Sequence, residues 1–493
     1  MNTNSTTGTT MTTSTSTRPG SDRQQPGRGS AAGLRRDAVD DAVEELCAAV
    51  FTSLRRRDQR ERGRQYVRGL LAAQGRKSIR NIAQQIGPGG PAAEQALHHF
   101  IAGSTWDWQP IRSALTQYLG QTTPLNAWVA QPMAIPKGGD HSVGVGHRFD
   151  PHQGQMFRGQ QAFGTWFTSA GVTTPVGWRL FLPDDESEGC GGEREQAERL
   201  RGGLREHERE LAREHEKERE QRQDPTAPES EQQSLRRPEE SYEACAVTGV
   251  LESVRDGQMS VRPVVLDIRD IATRSTLNRF AEARVPVVAR VSSAARLLVT
   301  DPALPGFGAG TLSARDILQN VRGLRMPVEW ADPDRPGVRR SSLVAAVRVM
   351  VPDPAPGRRR EVLLFGEWPD ARRLPTQLWV TDMTRTQPGA LVRMTKQARR
   401  VAMAAGESVR EVGLRDFSGR SLPGWHRHVT LASIAHAALA LGGGLQLPAA
   451  APAPVARPVA APHLGVPVAA AAGHGVRRPA ASAVRAHAAL AGR

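Results

Sequence analysis

The sequence predicts an α/β fold that follows an all-helical N-terminal unit. Two short apolar runs rich in Val, RPVVLDIRD and VPVVARVSS, are separated by TLNRFAEAR, which has a helical pattern. A strand, a helix and a second strand in this order indicate a sheet covered by helices. The third observation is the helical spacing of Val39, Val43, Leu46 and Val50, in a region without a strand pattern.

The N-terminal unit is predicted to span 37–121, after a tail at 1–36. The tail consists mainly of Ser, Thr, Gly, Gln and Arg, a composition that predicts disorder because it buries too little apolar surface. Between Leu54 and Arg80 there are ten Lys or Arg residues and two acids. Such density suits contacts with DNA phosphates, whereas a solvated basic face is the alternative. The predicted contacts in this segment are Arg55, Arg56, Arg57, Arg60, Arg64, Arg68, Lys77 and Arg80.

The string SIRNIAQQIGPGGPAAEQALHHFI, at 78–101, predicts a helix, a Gly/Pro turn and a second helix. This is roughly the layout of a helix-turn-helix. The turn is long and contains Pro, so a basic helical surface without that motif stays an alternative.

The remaining chain divides by composition into a core at 122–441 and a tail at 442–493. The core contains the strand-like strings AWVAQPMAI, HSVGVGH and TPVGWRLFLP, a charged insert at 184–240, a helix at 241–258, a β-rich insert at 324–385, and helices at 390–414 and 426–441. The insert carries ten Glu and nine Arg or Lys between 193 and 222, which is typical of a solvated segment. The Ala/Pro-rich tail is predicted to be flexible.

Composition narrows the function classes. The formal charge of +15 favours a polyanionic partner, although a genome that enriches Arg would give the same excess. Three distant cysteines give neither a disulfide framework nor a zinc spacing. The chain contains no P-loop, GxGxxG or GxSxG motif and no apolar run long enough to cross a membrane. We therefore expect a cytoplasmic protein.

Six strings together resemble one family of proteins. They are LRRRDQRERGRQYVRGLL, HHFIAGSTWDW, IPKGGDHSVGV, PVGWRLFLP, LLFGEWP and FSGRSLPGWHRHVTL, in the same order along 51–441. The chain resembles insertion-sequence transposases of the DDE superfamily, in the actinobacterial insertion-sequence seven-hundred-one family. The resemblance implies an RNase H-like core, with a mixed sheet, flanking helices, and two Asp and one Glu that hold two divalent ions. Such a metal pair neutralises the attacking and leaving oxygens of a phosphodiester.

The first acid of the family lies in a motif similar to VVDDTGFPK. The string VAQPMAIPK aligns with this motif through Pro136 and Lys137, so Gln131 and Pro132 stand at the acidic positions. A neutral amide is a poor substitute for a charged ligand of Mg²⁺. Asp140 and Asp150 lie beyond the motif, and we predict that neither replaces the lost acid. Lys137 is a further predicted DNA contact.

The second acid is retained in this alignment. The family pattern VVADAGYG corresponds to RPVVLDIRD and places Asp267 at the catalytic position, as the one weak metal ligand left. A strand-end Asp that caps the next turn is the alternative.

The third acid belongs to the C-terminal helix, in a pattern similar to RWRIEHDYRELK. Counting back from Phe417 without a gap places Ala402 at the catalytic Glu, while Arg400 and Glu407 match the family. Arg400 is the last predicted DNA contact. One small gap would restore Glu407, but the first acid would still be missing.

The sequence therefore predicts a transposase-like protein that binds double-stranded DNA without cleaving it. We expect no cofactor, since Mg²⁺ or Mn²⁺ would be needed only by an active enzyme. We expect association with the nucleoid. The sequence does not fix the oligomeric state, and a homo-oligomer is one possibility. One rival is an active transposase in which Asp140 or Asp150 and Glu407 act with Asp267. The other is a protein-contact role through the charged insert.

Overall fold

The N-terminal part of the computed structural model is helical. The structure describes residues 31–443 except for 88, 140, 151–153, 183–240, 269–270, 333–334, 336, 354–358 and 376. The first helices are α1 (Ala31–Val50), α2 (Arg57–Ala72), α3 (Ile79–Ala83), α4 (Pro91–His98) and α5 (Gln109–Thr122). Helix α1 begins six residues before the predicted boundary of the tail, because Ala31, Ala32 and Leu34 are good helix formers. The predicted charged insert and C-terminal tail lie outside the described residues.

Four antiparallel strands follow the helices. They are β1 (Ala127–Pro136), β2 (Gly146–Asp150), β3 (Gln155–Thr168) and β4 (Thr173–Leu180). The prediction of a strand over HSVGVGH is wrong for most of that string. Gly144 has a φ of +73°, which interrupts the extended backbone, and β2 begins only at Gly146.

The predicted strand, helix and strand are present in the middle of the chain. The elements are α6 (Tyr242–Asp256), β5 (Val264–Leu266), α7 (Thr273–Glu282) and β6 (Val287–Val291). Strand β5 lies parallel to both β1 and β6. The β-branched valines of β5 and β6 are buried on both faces, as expected for a parallel strand inside a sheet.

The strands of the predicted β-rich insert continue the same sheet. The elements from here are β7 (Arg296–Val299), β8 (Thr311–Ser313), α8 (Ala314–Asn320), β9 (Met326–Ala331), β10 (Arg339–Val351), β11 (Arg360–Trp368) and β12 (Gln377–Thr381). Strand β12 pairs with β6, and β10 pairs with β7. The described strands therefore form one mixed sheet in the order β2-β3-β1-β5-β6-β12-β11-β10-β7-β8, with β4 on β3 and β9 on β10.

Two C-terminal helices cover parts of this sheet. Helix α9 (Pro388–Glu411) packs Val401 and Ala404 against a buried cluster that includes Val129, Val265 and Val288. Helix α10 (Leu422–Leu441) is buried almost all round and belongs to a second core with β4 and the N-terminal helices. The mixed sheet and its helices are compatible with an RNase H-like fold. None of the described helices combines the length and apolarity that a membrane span requires.

Candidate functional site

Gln131 and Asp267 are neighbours on adjacent parallel strands. The pairing of β1 with β5 sets Val129 opposite Val265 and Ala130 opposite Leu266. Gln131 follows Ala130 on β1, and Asp267 follows Leu266, directly after the end of β5. Since side chains alternate along a strand, both lie on the face that buries Val129 and Val265 under α9.

Helix α9 brings Ala402 to the same place. Ala402 lines a pocket of about 200 Å³ together with Gln131 and Pro132. The other lining residues are Met133, Ala134, Asp150, Gln161, Trp166, Trp178, Tyr242, Ala405, Gly406 and Arg415. The positions that the family resemblance assigns to the first and third acids thus line one pocket, and the position of the second, Asp267, directly follows β5.

Asp267 is held by an ion pair. Its Oδ1 accepts a hydrogen bond of 2.9 Å from Nη1 of Arg290, and both side chains are less than one-fifth exposed. Arg290 lies on β6, one position past the pair formed by Leu266 and Ala289, so the parallel register sets it beside Asp267. Arg290 was not among the predicted site residues, although it is the single charge inside the apolar run VVARV.

Asp150 is the one carboxylate among the residues that line the pocket. Asp150 is buried, and its charge affects the pKa values of Tyr242 and Arg415. Burial raises the pKa of Tyr242, and Asp150 adds to that increase. Burial lowers the pKa of Arg415, while Asp150 opposes that change. Asp140 lies outside the described residues.

Glu407 is buried on α9 but does not line this pocket. Burial raises the pKa of its carboxyl group, Glu411 adds to the increase, and Arg410 opposes it. Among the described residues, its Oε2 has no hydrogen-bond partner. Glu407 is therefore not among the residues that line the pocket with Gln131.

The donor set at these positions is poor for a divalent cation. Gln131 contributes an amide, Ala402 contributes no donor, and the carboxylate of Asp267 is engaged by Arg290. Within the part of the chain that the structure describes, no three His, Cys, Asp or Glu side chains form a group able to hold a metal. The described residues at these three positions therefore do not fit a site for two divalent ions.

The C-terminal histidines have packing roles. His428 Nδ1 lies 2.9 Å from the Tyr66 hydroxyl, and its Nε2 lies 2.9 Å from the Gly413 carbonyl oxygen. His436 Nδ1 lies 3.0 Å from Thr174 Oγ1. Burial lowers the pKa of His428 to about 4 and that of His436 to about 3, so both rings are neutral near pH 7.

Four of the predicted DNA contacts are exposed at the start of α2. Arg55, Arg56, Arg57 and Arg60 all face solvent. None of the four forms a salt bridge with another described residue, and Arg60 donates a hydrogen bond of 3.2 Å to the Leu54 carbonyl oxygen. This end of the helix therefore presents a dense positive charge.

Two further predicted contacts, Arg64 and Arg68, are paired with an acid of α1. Arg64 Nε lies 3.2 Å from Glu44 Oε2, and Arg68 Nη2 lies 2.6 Å from Glu44 Oε1. Arg64 also pairs with Glu61. These two arginines join α1 to α2, and their positive charge is partly neutralised.

The last four predicted contacts differ in their surroundings. Arg80 is exposed, whereas Lys77 is buried, donates to the Ala73 carbonyl, and has a pKa lowered by burial. Lys137 donates to the Phe417 carbonyl oxygen. Arg400 donates to the carbonyl oxygens of Ser169 (2.7 Å) and Ala170 (3.1 Å). Lys77, Lys137 and Arg400 thus have structural contacts that their position in the sequence did not indicate.

A family model described as DDE superfamily endonuclease matches residues 49–341, more than half of the chain. The match includes Gln131 and Asp267 and ends before Ala402. No curated protein matches the chain.

Proposed function

The chain belongs to the DDE superfamily of endonucleases, and we propose that it is a transposase-like DNA-binding protein without strand-cleavage activity. Within the superfamily we place it in the insertion-sequence seven-hundred-one family, on the six strings that it shares with that family. We also propose that it works in the cytoplasm in association with the nucleoid.

The meeting of Gln131, Asp267 and Ala402 carries this proposal. The family pattern assigns these three positions to metal ligands. Gln131 and Ala402 line one pocket, Asp267 follows the strand paired with β1, and the three together supply a single carboxylate. That carboxylate forms an ion pair with Arg290. A pair of divalent ions needs several carboxylates to neutralise and position them, and these residues do not provide them.

Support for DNA binding comes from the distribution of charge. The exposed arginines at the start of α2 form no salt bridge with a described residue, and the chain carries a net charge of +15. Arginines of this kind bind phosphates and release the counterions condensed on DNA. A transposase-like protein that does not cleave DNA can still bind it, and the exposed arginines at the start of α2 can provide this binding.

A nicking assay tests the loss of cleavage. The full chain is incubated with supercoiled plasmid in Mg²⁺ or Mn²⁺, beside Asp267→Ala and Asp150→Asn variants. We expect no relaxed or linear product from any of the three. Cleavage that Asp267→Ala abolishes would contradict the proposal, and cleavage that Asp150→Asn abolishes would identify Asp150 as a replacement for the lost acid.

A gel shift with duplex DNA at low salt tests the binding part separately. We expect a shifted complex with or without EDTA, because the proposed contacts are arginine side chains rather than a metal ion. No complex at low salt would exclude DNA recognition and favour the protein-contact role.

A further inference from the structure

The hairpin of β2 and β3 holds two large apolar side chains in solvent. Phe149 is 52% exposed and Met156 is 63% exposed. They are directly opposite each other in the antiparallel pairing, so they lie on the same face of the hairpin. An aromatic and a thioether side chain side by side form a flat apolar surface.

Basic side chains flank this surface. His147 is opposite Arg158 in the same register and therefore shares the face of Phe149 and Met156. We name these four residues the hairpin face. Arg148 and Asp150 lie on the opposite face, where Asp150 is buried and the Arg148 guanidinium lies 5.3 Å from the centre of the Phe181 ring. One face of the hairpin thus packs on the protein, whereas Phe149 and Met156 on the other face are exposed.

Contacts at the base of the hairpin link it to the arginine-rich N-terminal segment. The Lys137 amide donates a 3.1 Å hydrogen bond to the Arg158 carbonyl, and the Val143 amide donates one of 3.2 Å to the Arg420 carbonyl. The neighbouring Asp416 accepts a 2.8 Å hydrogen bond from the Lys77 amide.

Exposed basic side chains follow the same path. They are Arg76, Arg80, His141 and Arg420. Among the described residues, the carboxylates of Asp416 and Glu411 act on Lys77 in this region. In the part of the chain that the structure describes, the hairpin thus adjoins a surface with four exposed basic side chains.

We propose that the hairpin face stacks on an unpaired base and gives the protein a preference for DNA that carries single-stranded nucleotides. This inference rests on the proposed DNA binding. A base in an intact duplex is covered by its neighbours and exposes only its edges, whereas an unpaired base offers an apolar face to an aromatic side chain. His147, which is exposed on the same face, is placed to contact an adjoining phosphate.

Fluorescence anisotropy with the full chain tests this preference. The probes are a labelled blunt duplex and the same duplex with a five-nucleotide overhang, at one fixed salt concentration. We expect the overhang to tighten binding about fivefold or more, since stacking on aromatic side chains contributes strongly for each base. Phe149→Ala and Met156→Ala should lose that gain and keep their affinity for the blunt duplex, whereas Phe149→Trp should retain it.

Matched controls exist elsewhere on the surface. Phe307 is 52% exposed, as Phe149 is, and Met326 is 51% exposed. Phe307→Ala and Met326→Ala should leave both affinities unchanged. The substituted side chains are exposed, so each variant should keep the thermal midpoint of the parent.

Each other outcome has a definite meaning. A wild-type chain that binds both probes equally, or a Phe149→Ala variant that weakens both equally, would overturn the stacking inference and leave the proposed function intact. A lower particle mass of Phe149→Ala in light scattering would overturn it by assigning the hairpin face to a second copy of the chain. If neither probe binds, the proposed function itself fails.

Discussion

At the scale of single residues, the environment of His428 decides its charge. The Gly413 carbonyl can only accept a hydrogen bond, so His428 Nε2 carries the proton and Nδ1 accepts from the Tyr66 hydroxyl. A proton on Nδ1 would remove that acceptor inside the core. Burial, with a smaller effect from Lys137, therefore lowers the pKa of His428 to about 4, although Gly413 and Asp416 oppose the change.

This arrangement predicts an acid-sensitive stability. The unfolded chain binds a proton at His428 below a pKa near 6.5, whereas the folded chain resists it until about pH 4. The free energy of unfolding should therefore fall as pH falls from 6.5 to 4, by on the order of 3 kcal/mol from this residue. Urea denaturation at several pH values measures the slope. His428→Gln, which can still donate and accept, should show a shallower one, and an unchanged slope would contradict the assignment.

The ion pair of Asp267 and Arg290 gives a second prediction at this scale. Arg290→Gln leaves the largely buried Asp267 carboxylate without its cation, which should destabilise the fold by about 1–3 kcal/mol at neutral pH. Asp267→Asn combined with Arg290→Gln should recover part of that loss. Urea denaturation of the single and double variants measures the coupling, and strictly additive losses would show that the two groups do not interact.

At the scale of elements, β3 must pass very close to β1. A Cβ atom at Gly159 would lie 2.2 Å from the Ile135 carbonyl oxygen, which is backbone and cannot rotate away. Gly159→Ala should therefore lower the free energy of unfolding by about 1–3 kcal/mol. Gly171, which has no atom within 4 Å of its Cβ position, is the matched control and should tolerate Ala. Equal stability of the two variants in urea would contradict the close approach.

The sequence predicted the elements better than it predicted their partners. Runs such as REVLLFGEW carry a local strand signal, and β11 occupies that string. The pairing of β12 with β6 joins residues about 90 positions apart, and no local pattern encodes it. The prediction of an inserted β subdomain did not include this pairing, by which its strands extend the central sheet.

The candidate site shows the same limit. Gln131, Asp267 and Ala402 were proposed from family motifs. In the structure Gln131 and Ala402 line one pocket, and Asp267 directly follows the strand beside Gln131. Arg290 was missed because its contact with Asp267 depends on the register of two parallel strands. Lys77 was expected on the surface because it lies in a basic run, yet the turn after α2 buries it. A basic run in the sequence therefore does not show which of its side chains are exposed in the folded chain.

At the scale of the whole molecule, α10 connects the N-terminal helices to the sheet. Arg427 on this helix donates to the carbonyl oxygens of Trp106 (3.1 Å) and Ile101 (3.0 Å). Arg112 of α5 donates a 2.8 Å hydrogen bond to Thr430 and one of 3.0 Å to the Trp178 carbonyl oxygen of β4. These buried arginines fix the position of the basic N-terminal surface relative to the core.

That surface predicts a steep salt dependence of DNA affinity. Each neutralised phosphate adds roughly −0.9 to the slope of log K against log salt. Replacing Arg55, Arg56, Arg57 and Arg60 together by Ala should make the slope shallower by about 2 to 4, as measured by anisotropy at several salt concentrations.

A variant with the same change in net charge provides the control. Arg315, Arg322, Arg372 and Arg373 are exposed arginines on other parts of the surface. Their replacement by Ala should alter the slope much less. Equal effects of the two quadruple variants would mean that overall charge, rather than the start of α2, attracts DNA.

The ion pair at the end of β5 also bears on whether the proposed loss of activity can be reversed. Restoring Asp at 131 and Glu at 402 would return carboxylates to the positions that the family uses. Arg290 would still engage Asp267 and repel an incoming divalent ion, so these two changes alone should not recover nicking. If the proposed loss of cleavage is correct, recovery of nicking should therefore need a third change, at Arg290, a position that carries no metal ligand.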